Sequence, residues 1–106
     1  MPEVTPLELQ TLLETADDSI VLVDVREDFE RSICKIDQAK PIRLAELSSQ
    51  LGSLPKGCRL IFHCKTGVRS ANAVHQAQDA GFENVAHLAG GILAWREAVA
   101  PEMSAY

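Results

Sequence analysis

The chain has 106 residues, 46% of them hydrophobic and 24% charged, a size that fits one ordinary domain and leaves no room for a second core. Ten Lys and Arg against fifteen Asp and Glu give a net charge of −5, which argues against a nucleic-acid partner because phosphate neutralisation requires a basic surface. No apolar run approaches the roughly 18 residues of a membrane span, and the acidic start Met1-Pro2-Glu3 is unlike a secretory signal, so the expectation is a soluble cytoplasmic protein with no membrane partner.

Thr5-Pro6-Leu7-Glu8 combines an N-cap, a proline at the first helical position and a Glu placed for a capping box, predicting a helix from about Pro6 to Thr15. Asp17-Asp18-Ser19 breaks it. Ile20-Val21-Leu22-Val23 is a short β-branched run, the pattern of a strand buried on both faces and ending at Asp24. From Arg26 to Pro41 no period is sustained, and the segment reads mostly as loop anchored by Ile33, Ile36 and Ile42. Leu44 to Leu51 has helical spacing and is stopped by Gly52 and Pro55-Lys56-Gly57. Arg59 to His63 predicts a strand, Ser70 to about Ala80 a helix, Val85 to Leu88 a strand, and Ile92 to about Val99 a last helix carrying Trp95.

Strands alternating with helices predict an α/β fold: a small, mostly parallel sheet flanked by helices on both faces. One domain is expected over 1–106, with its core from about 5 to 99 and a loose tail over 100–106. Ligands of such sheets gather at the carboxyl ends of the strands, where Asp24 and Cys64 both fall.

Three cysteines, Cys34, Cys58 and Cys64, are an odd number in a chain large enough to form a core, so a disulfide framework is not expected. The informative segment is His63-Cys64-Lys65-Thr66-Gly67-Val68-Arg69-Ser70: a thiol at a strand end, a short loop with a glycine and two cations, then a helix start. Loop amides curling round the sulfur would form an anion nest, and the helix amino terminus adds positive potential from the same side. Both stabilise thiolate. Gly67 lets the backbone turn, while Lys65 and Arg69 supply charge that favours thiolate and can hold an anion. The 32 residues from Leu47 to Gln78 carry Lys56, Arg59, Lys65 and Arg69 and no acid, a basic island in an acidic chain. The bland alternative, a thiol that is merely packed, is the usual fate of a free Cys. The glycine, both cations and the strand-to-helix context reverse those odds.

Cys64-Lys65-Thr66-Gly67-Val68-Arg69-Ser70 resembles the active-site loop of the rhodanese-like sulfurtransferases, in which a cysteine carries sulfane sulfur as a persulfide. Asp24-Val25-Arg26-Glu27 resembles the family's motif after an early strand, and Leu88-Ala89-Gly90-Gly91-Ile92-Leu93-Ala94-Trp95 its C-terminal glycine pair, short helix and tryptophan. The likeness runs from about Thr5 to Val99. The loop is also similar to that of rhodanese domains fused to adenylyltransferases. One segment departs from the family: where Gly-His-Ile-Pro-Gly-Ala is common, Cys34-Lys35-Ile36-Asp37-Gln38-Ala39 stands. Lys35 could add a cation at the mouth. Cys34 could be a second thiol that receives sulfur or pairs with Cys64, or a thiol packed under the loop, the reading favoured here.

The resemblance implies a thiosulfate sulfurtransferase or persulfide carrier with Cys64 as nucleophile, and Lys65, Thr66, Gly67, Val68, Arg69 and Ser70 around the substrate. Asp24 and Arg26 would brace the loop by ion pairing. The expected partners are a small anionic sulfur donor such as thiosulfate and a protein or small-molecule sulfur acceptor; no metal or organic cofactor is expected. Four residues separate Cys64 from Arg69, as in sulfurtransferase loops, whereas related phosphatase loops have five. The shorter loop and its lack of an acid leave phosphatase or arsenate reductase chemistry as a minor alternative. Cys58, His63 and Cys64 lack a second pair at zinc spacing, and His63, His75 and His87 are read as structural or solvent-facing. A binding module that keeps the fold and leaves the thiol unused is the remaining class.

Overall fold

A computed structural model describes residues 2–15 and 19–104. Asp17 and Asp18 of the expected break, and Ala105 and Tyr106 of the expected tail, lie outside the described residues. The strands are β1 (Glu3–Val4), β2 (Ile20–Asp24), β3 (Lys40–Pro41), β4 (Arg59–His63) and β5 (Val85–Leu88). The α-helices are α1 (Pro6–Glu14), α2 (Asp28–Ile33), α3 (Leu47–Gln50), α4 (Val68–Asp79) and α5 (Gly91–Ala98). The five strands form one sheet in the order β1-β5-β4-β2-β3, and every pairing is parallel.

Alternation along the central strands divides the core in two, because successive side chains of a strand point to opposite faces. Leu60 and Phe62 of β4, with Val23 of β2, face a cluster closed by Leu47 and Leu51 and by Ala73, Val74 and Ala77 of α4. Ile61 and Leu22 face the other cluster, closed by Leu9 of α1 and by Ile92 and Trp95 of α5. Parallel strands covered on both sides need apolar residues at every position, which is why the runs at 20–23 and 60–62 are continuous rather than alternating.

The start of α1 follows the sequence expectation: Thr5 Oγ1 accepts from the Glu8 amide at 3.1 Å, and Glu8 Oε1 accepts from the Thr5 amide at 3.0 Å. Other expectations are corrected. The segment from Arg26 to Pro41, read mostly as loop, contains α2 and β3. The helix expected over Leu44 to Leu51 is a single α turn between two 3₁₀ turns, Leu44–Glu46 and Leu51–Ser53, though Leu47 and Leu51 are buried as their spacing requires. Strand β1 was not expected; it holds two residues, too few to show a period. Within the C-terminal stretch, the Met103 carbonyl accepts from Arg96 Nε at 2.6 Å and the Met103 side chain packs against the second cluster. Among the described residues no helix is long and apolar enough to cross a membrane.

Candidate active site

Cys64 follows β4 directly at the carboxyl edge of the sheet, and its chain turns at once into α4. Its sulfur is the focus of two backbone donors: the Gly67 amide lies 3.1 Å and the Ser70 amide 3.4 Å from Sγ. Gly67 adopts φ +118°, a conformation that side chains disfavour, and this turn is what aims its N–H back at the sulfur. The Ser70 hydroxyl is 3.5 Å from Sγ. These groups stand where a nest for a thiolate or an anionic sulfur atom requires them.

The loop is held from behind by α5. Ile92 N donates to the Cys64 carbonyl at 2.8 Å and Leu93 N to the Lys65 carbonyl at 3.3 Å. The first turn of α5 thus spends otherwise orphaned amides on the loop's carbonyls, which keeps those carbonyls turned away from the sulfur. Gly91 has φ +65°, and a Cβ there would collide with the Lys65 carbonyl, so the glycine pair read from the sequence allows a backbone-to-backbone approach.

A buried charge network braces the neighbouring segment. Asp24, fully buried, accepts from Arg26 N and Nε at 3.0 Å each, from Arg26 Nη2 at 2.8 Å and from Arg31 Nη1 at 2.9 Å. Burial pushes the Asp24 carboxyl up, but the Arg26 hydrogen bonds together with the nearby His63 and the Arg26 charge hold the group below the usual carboxylate range. Arg26, with no exposed surface, also donates to the Cys34 carbonyl at 2.8 Å. Glu30 of α2 is buried and takes both Nη atoms of Arg69, at 2.6 and 2.9 Å. Asp24 and Arg26 therefore fix α2, and α2 fixes the first turn of α4 through Glu30 and Arg69.

Of the site residues expected from the sequence, Gly67 and Ser70 are brought onto Cys64 Sγ, Lys65 and Arg69 share the loop, and Thr66 and Val68 are exposed, Val68 by 79%. The Arg69 fork, expected to reach across the nest toward an anion, is instead engaged by Glu30. The basic island also divides. Arg59 begins β4 and Cys64 follows its end, so a whole strand separates them, while Lys56 lies over the Phe82 ring. Only Lys65 and Arg69 of the four belong to the loop, because a linear charge run does not survive a strand that carries it across the sheet. Cys34, Cys58 and Cys64 are free thiols. Cys34 packs in the cluster on the opposite sheet face from Cys64. Burial raises the pKa of the Cys58 thiol, which donates to the Pro55 carbonyl at 2.9 Å.

Two residues of the site neighbourhood, Glu30 and Arg31, carry no expectation from the sequence, and His87, read there as structural or solvent-facing, is buried beside the loop. His87 Nδ1 lies 2.8 Å from Ser70 Oγ. Glu30 and Arg31 lie in the segment read mostly as loop. Two concavities, of about 230 and 290 Å³, lie away from Cys64, one between α1 and α5 around Trp95 and the other beside α1 at Arg59.

The family model of the Rhodanese-like domain matches residues 5–98. The chain belongs to the rhodanese-like family. It is 39% identical over 105 residues to the Mycobacterium tuberculosis protein named "Probable adenylyltransferase/sulfurtransferase MoeZ", an overlap covering 97% of this chain and 26% of that protein. The chain thus spans about a quarter of that relative's length. It is 31% identical over 97 residues to a sulfurtransferase of Allochromatium vinosum, covering 88% of this chain and 89% of that one. Among solved structures, a single-domain sulfurtransferase of Saccharomyces cerevisiae superposes with a TM-score of 0.82 at 27% identity, covering 99% of this chain and 97% of that one. Rhodanese-like sulfurtransferases are therefore this chain's relatives in both sequence and fold.

Proposed function

We propose that this rhodanese-like protein moves sulfane sulfur from thiosulfate or a persulfide donor to a thiophilic acceptor, with Cys64 as the carrier. The observation that carries the reading is the convergence of the Gly67 and Ser70 amides on Cys64 Sγ. In the first half-reaction the Cys64 thiolate attacks the outer sulfur of thiosulfate, the S–S bond of the donor breaks, and sulfite leaves with the electron pair. The product is a Cys64 persulfide whose negative outer sulfur is stabilised by loop amides and by Lys65. In the second, an acceptor such as cyanide or a thiolate attacks that outer sulfur and Cys64 departs as thiolate.

Arg69 acts in this reading by holding the first turn of α4, and with it the Ser70 amide, in place against Glu30. The same pairing speaks against phosphate-ester hydrolysis, which needs an arginine fork on the phosphate oxygens. Three free thiols suit a reducing compartment, so we assign the protein to the cytoplasm. The test is intact-mass analysis after thiosulfate: one added sulfur atom, removed by cyanide and absent in Cys64→Ser, is the expected result. Equal loading of Cys64→Ser would move the chemistry to Cys34 or Cys58. Efficient Cys64-dependent phosphatase turnover without loading would overturn the reading.

A further inference from the structure

His87 is buried beside the Cys64 loop and has a polar neighbour at each ring nitrogen. In the parallel pairing of β1 and β5, Glu3 stands opposite His87, and Glu3 Oε2 lies 3.4 Å from His87 Nε2. On the other side Nδ1 is 2.8 Å from Ser70 Oγ, which is itself 3.5 Å from Cys64 Sγ. Gly67 passes close to the ring, with space for a Cβ only 3.6 Å from Cε1. Among the described residues the titratable groups facing His87 are thus Glu3 from β1 and, through Ser70 of α4, Cys64; the charge of the terminal ammonium also acts on the ring and favours its neutral form, and Phe62 of β4 is its register partner on the remaining side.

The Ser70 hydroxyl has one proton, and three neighbours can take it: His87 Nδ1, the Gly67 carbonyl at 3.2 Å and, when ionised, Cys64 Sγ. A neutral ring that keeps its proton on Nε2, toward Glu3, presents Nδ1 as an acceptor. Ser70 then donates to Nδ1 and accepts from the Cys64 S–H, so the three groups form a directed chain.

We propose that Ser70 and His87 are a proton relay for Cys64: Ser70 touches the sulfur, and His87, acting through Ser70, is the positioning residue that receives the proton. The S–H bond breaks and leaves its electron pair on Sγ. That proton bonds to Ser70 Oγ as the hydroxyl's own proton passes to Nδ1. The products are a thiolate, an intact serine hydroxyl and an imidazolium whose Nε2–H faces the Glu3 carboxylate, and net charge is unchanged. The reverse step restores the thiol. Burial lowers the His87 pKa from its ordinary value against the opposing pull of Glu3, so at neutral pH the ring starts neutral and able to accept.

The relay rests on Cys64 being the reacting thiol, and its test does not depend on sulfur transfer. Ring ¹⁵N shifts of His87 are followed against pH in the wild-type protein before and after Cys64 is blocked with iodoacetamide. Alkylation of the Cys64 peptide is timed from mildly acidic to mildly alkaline pH in wild type, His87→Asn and Ser70→Ala. Blocking should move the His87 midpoint to lower pH, because the imidazolium loses the thiolate it faces. Both variants should alkylate about tenfold more slowly near neutral pH, the effect of one lost hydrogen bond, and should lack the inflection that His87 contributes. A His87 midpoint indifferent to blocking, or a His87→Asn profile that keeps the wild-type inflection, overturns the relay. The wild-type titration decides alone where a variant does not fold. Failure of thiosulfate loading with the coupling intact would count against the sulfurtransferase reading and leave the relay standing.

Discussion

Arg69 and Glu30, 39 positions apart in the chain, meet as a two-point ion pair with Nη1–Oε1 at 2.6 Å and Nη2–Oε2 at 2.9 Å. Glu30 is almost wholly inside, and Arg69 keeps about a third of its side chain in water. The pair ties the start of α4 to α2 and so connects the sulfur nest to the Asp24 and Arg26 network.

Glu30→Ala leaves a partly buried guanidinium without its carboxylate, and breaking such a pair costs more than the pair contributes when intact. The expected loss is about 3 kcal/mol, at the low end for buried pairs because Arg69 is partly solvated. Urea unfolding of Glu30→Ala, Arg69→Ala and the double variant measures it. The double variant should be no worse than the worse single one, whereas additive losses would mean that the two side chains act separately.

Gly91→Ala puts a Cβ against the Lys65 carbonyl and forces an alanine to φ +65°. The strain costs about 1–3 kcal/mol, and the displaced loop should lose most of its thiosulfate loading while the sheet stays folded. Gly52→Ala is the matched control, since nothing lies within 4 Å of its Cβ position and its φ is ordinary. Loading by mass and thermal unfolding of both variants give the comparison. Full loading in Gly91→Ala would show that the α5 amides do not set the loop.

Strands β2, β4 and β5 and the long helices were legible because burial on both faces forces an apolar run, because helical spacing shows in α4, and because a capping residue marks the start of α1. Segment 26–41 was not, and α2 shows why. Its apolar residues Phe29 and Ile33 are 66% and 39% exposed, while its buried residue is Glu30, so the hydrophobic pattern points the wrong way round. Charge arithmetic found Lys65 and Arg69 but also gathered Lys56 and Arg59, which the sheet carries elsewhere. The Cys64 nest was readable from a glycine between a strand and a helix. His87 was not, because its neighbours Glu3 and Ser70 come from distant parts of the sequence through strand register and helix docking, neither of which leaves a local signal.

His63 predicts an acid limb to stability. It is fully buried next to Cys64, both ring nitrogens lack hydrogen-bond partners, Nε2 lies 3.7 Å from the Asp24 carboxylate, and burial lowers its pKa to about 4 against the opposing pull of Asp24. The unfolded chain binds this proton near the ordinary value of about 6.5, so between about 6.5 and 4 the unfolded state is the more protonated. Stability therefore rises with pH through that window and falls as pH drops through it. The full difference amounts to roughly 3 kcal/mol. His63→Phe breaks no hydrogen bond and removes the titration, so its urea midpoint should vary less between pH 7 and pH 4 than wild type's. His87 titrates in both proteins and drops out of the comparison. Identical pH profiles would mean that His63 is already solvated in the folded state.

Lys65 and Arg69 should separate kinetically, because Arg69 is committed to Glu30 and, in the proposed function, Lys65 supplies the loop's charge to the incoming anion. In the proposed sulfur transfer, Lys65→Ala removes an attraction that the incoming anion would experience before and during reaction. Its KM for thiosulfate should rise about three- to fivefold, the scale of one solvent-screened charge, with kcat little changed and the difference shrinking as salt is added. Arg69→Lys keeps the charge but replaces a planar fork with a point donor, which cannot make both bonds to Glu30. Its main effect should be on kcat, through a less firmly held Ser70 amide, together with a loss of stability that Lys65→Ala does not share. Steady-state kinetics at two ionic strengths and urea unfolding of both variants distinguish these outcomes. If Arg69→Lys instead raises KM in a salt-dependent way with stability intact, the guanidinium leaves Glu30 for the substrate during turnover, and the anion clamp expected from the sequence is the better account of Arg69.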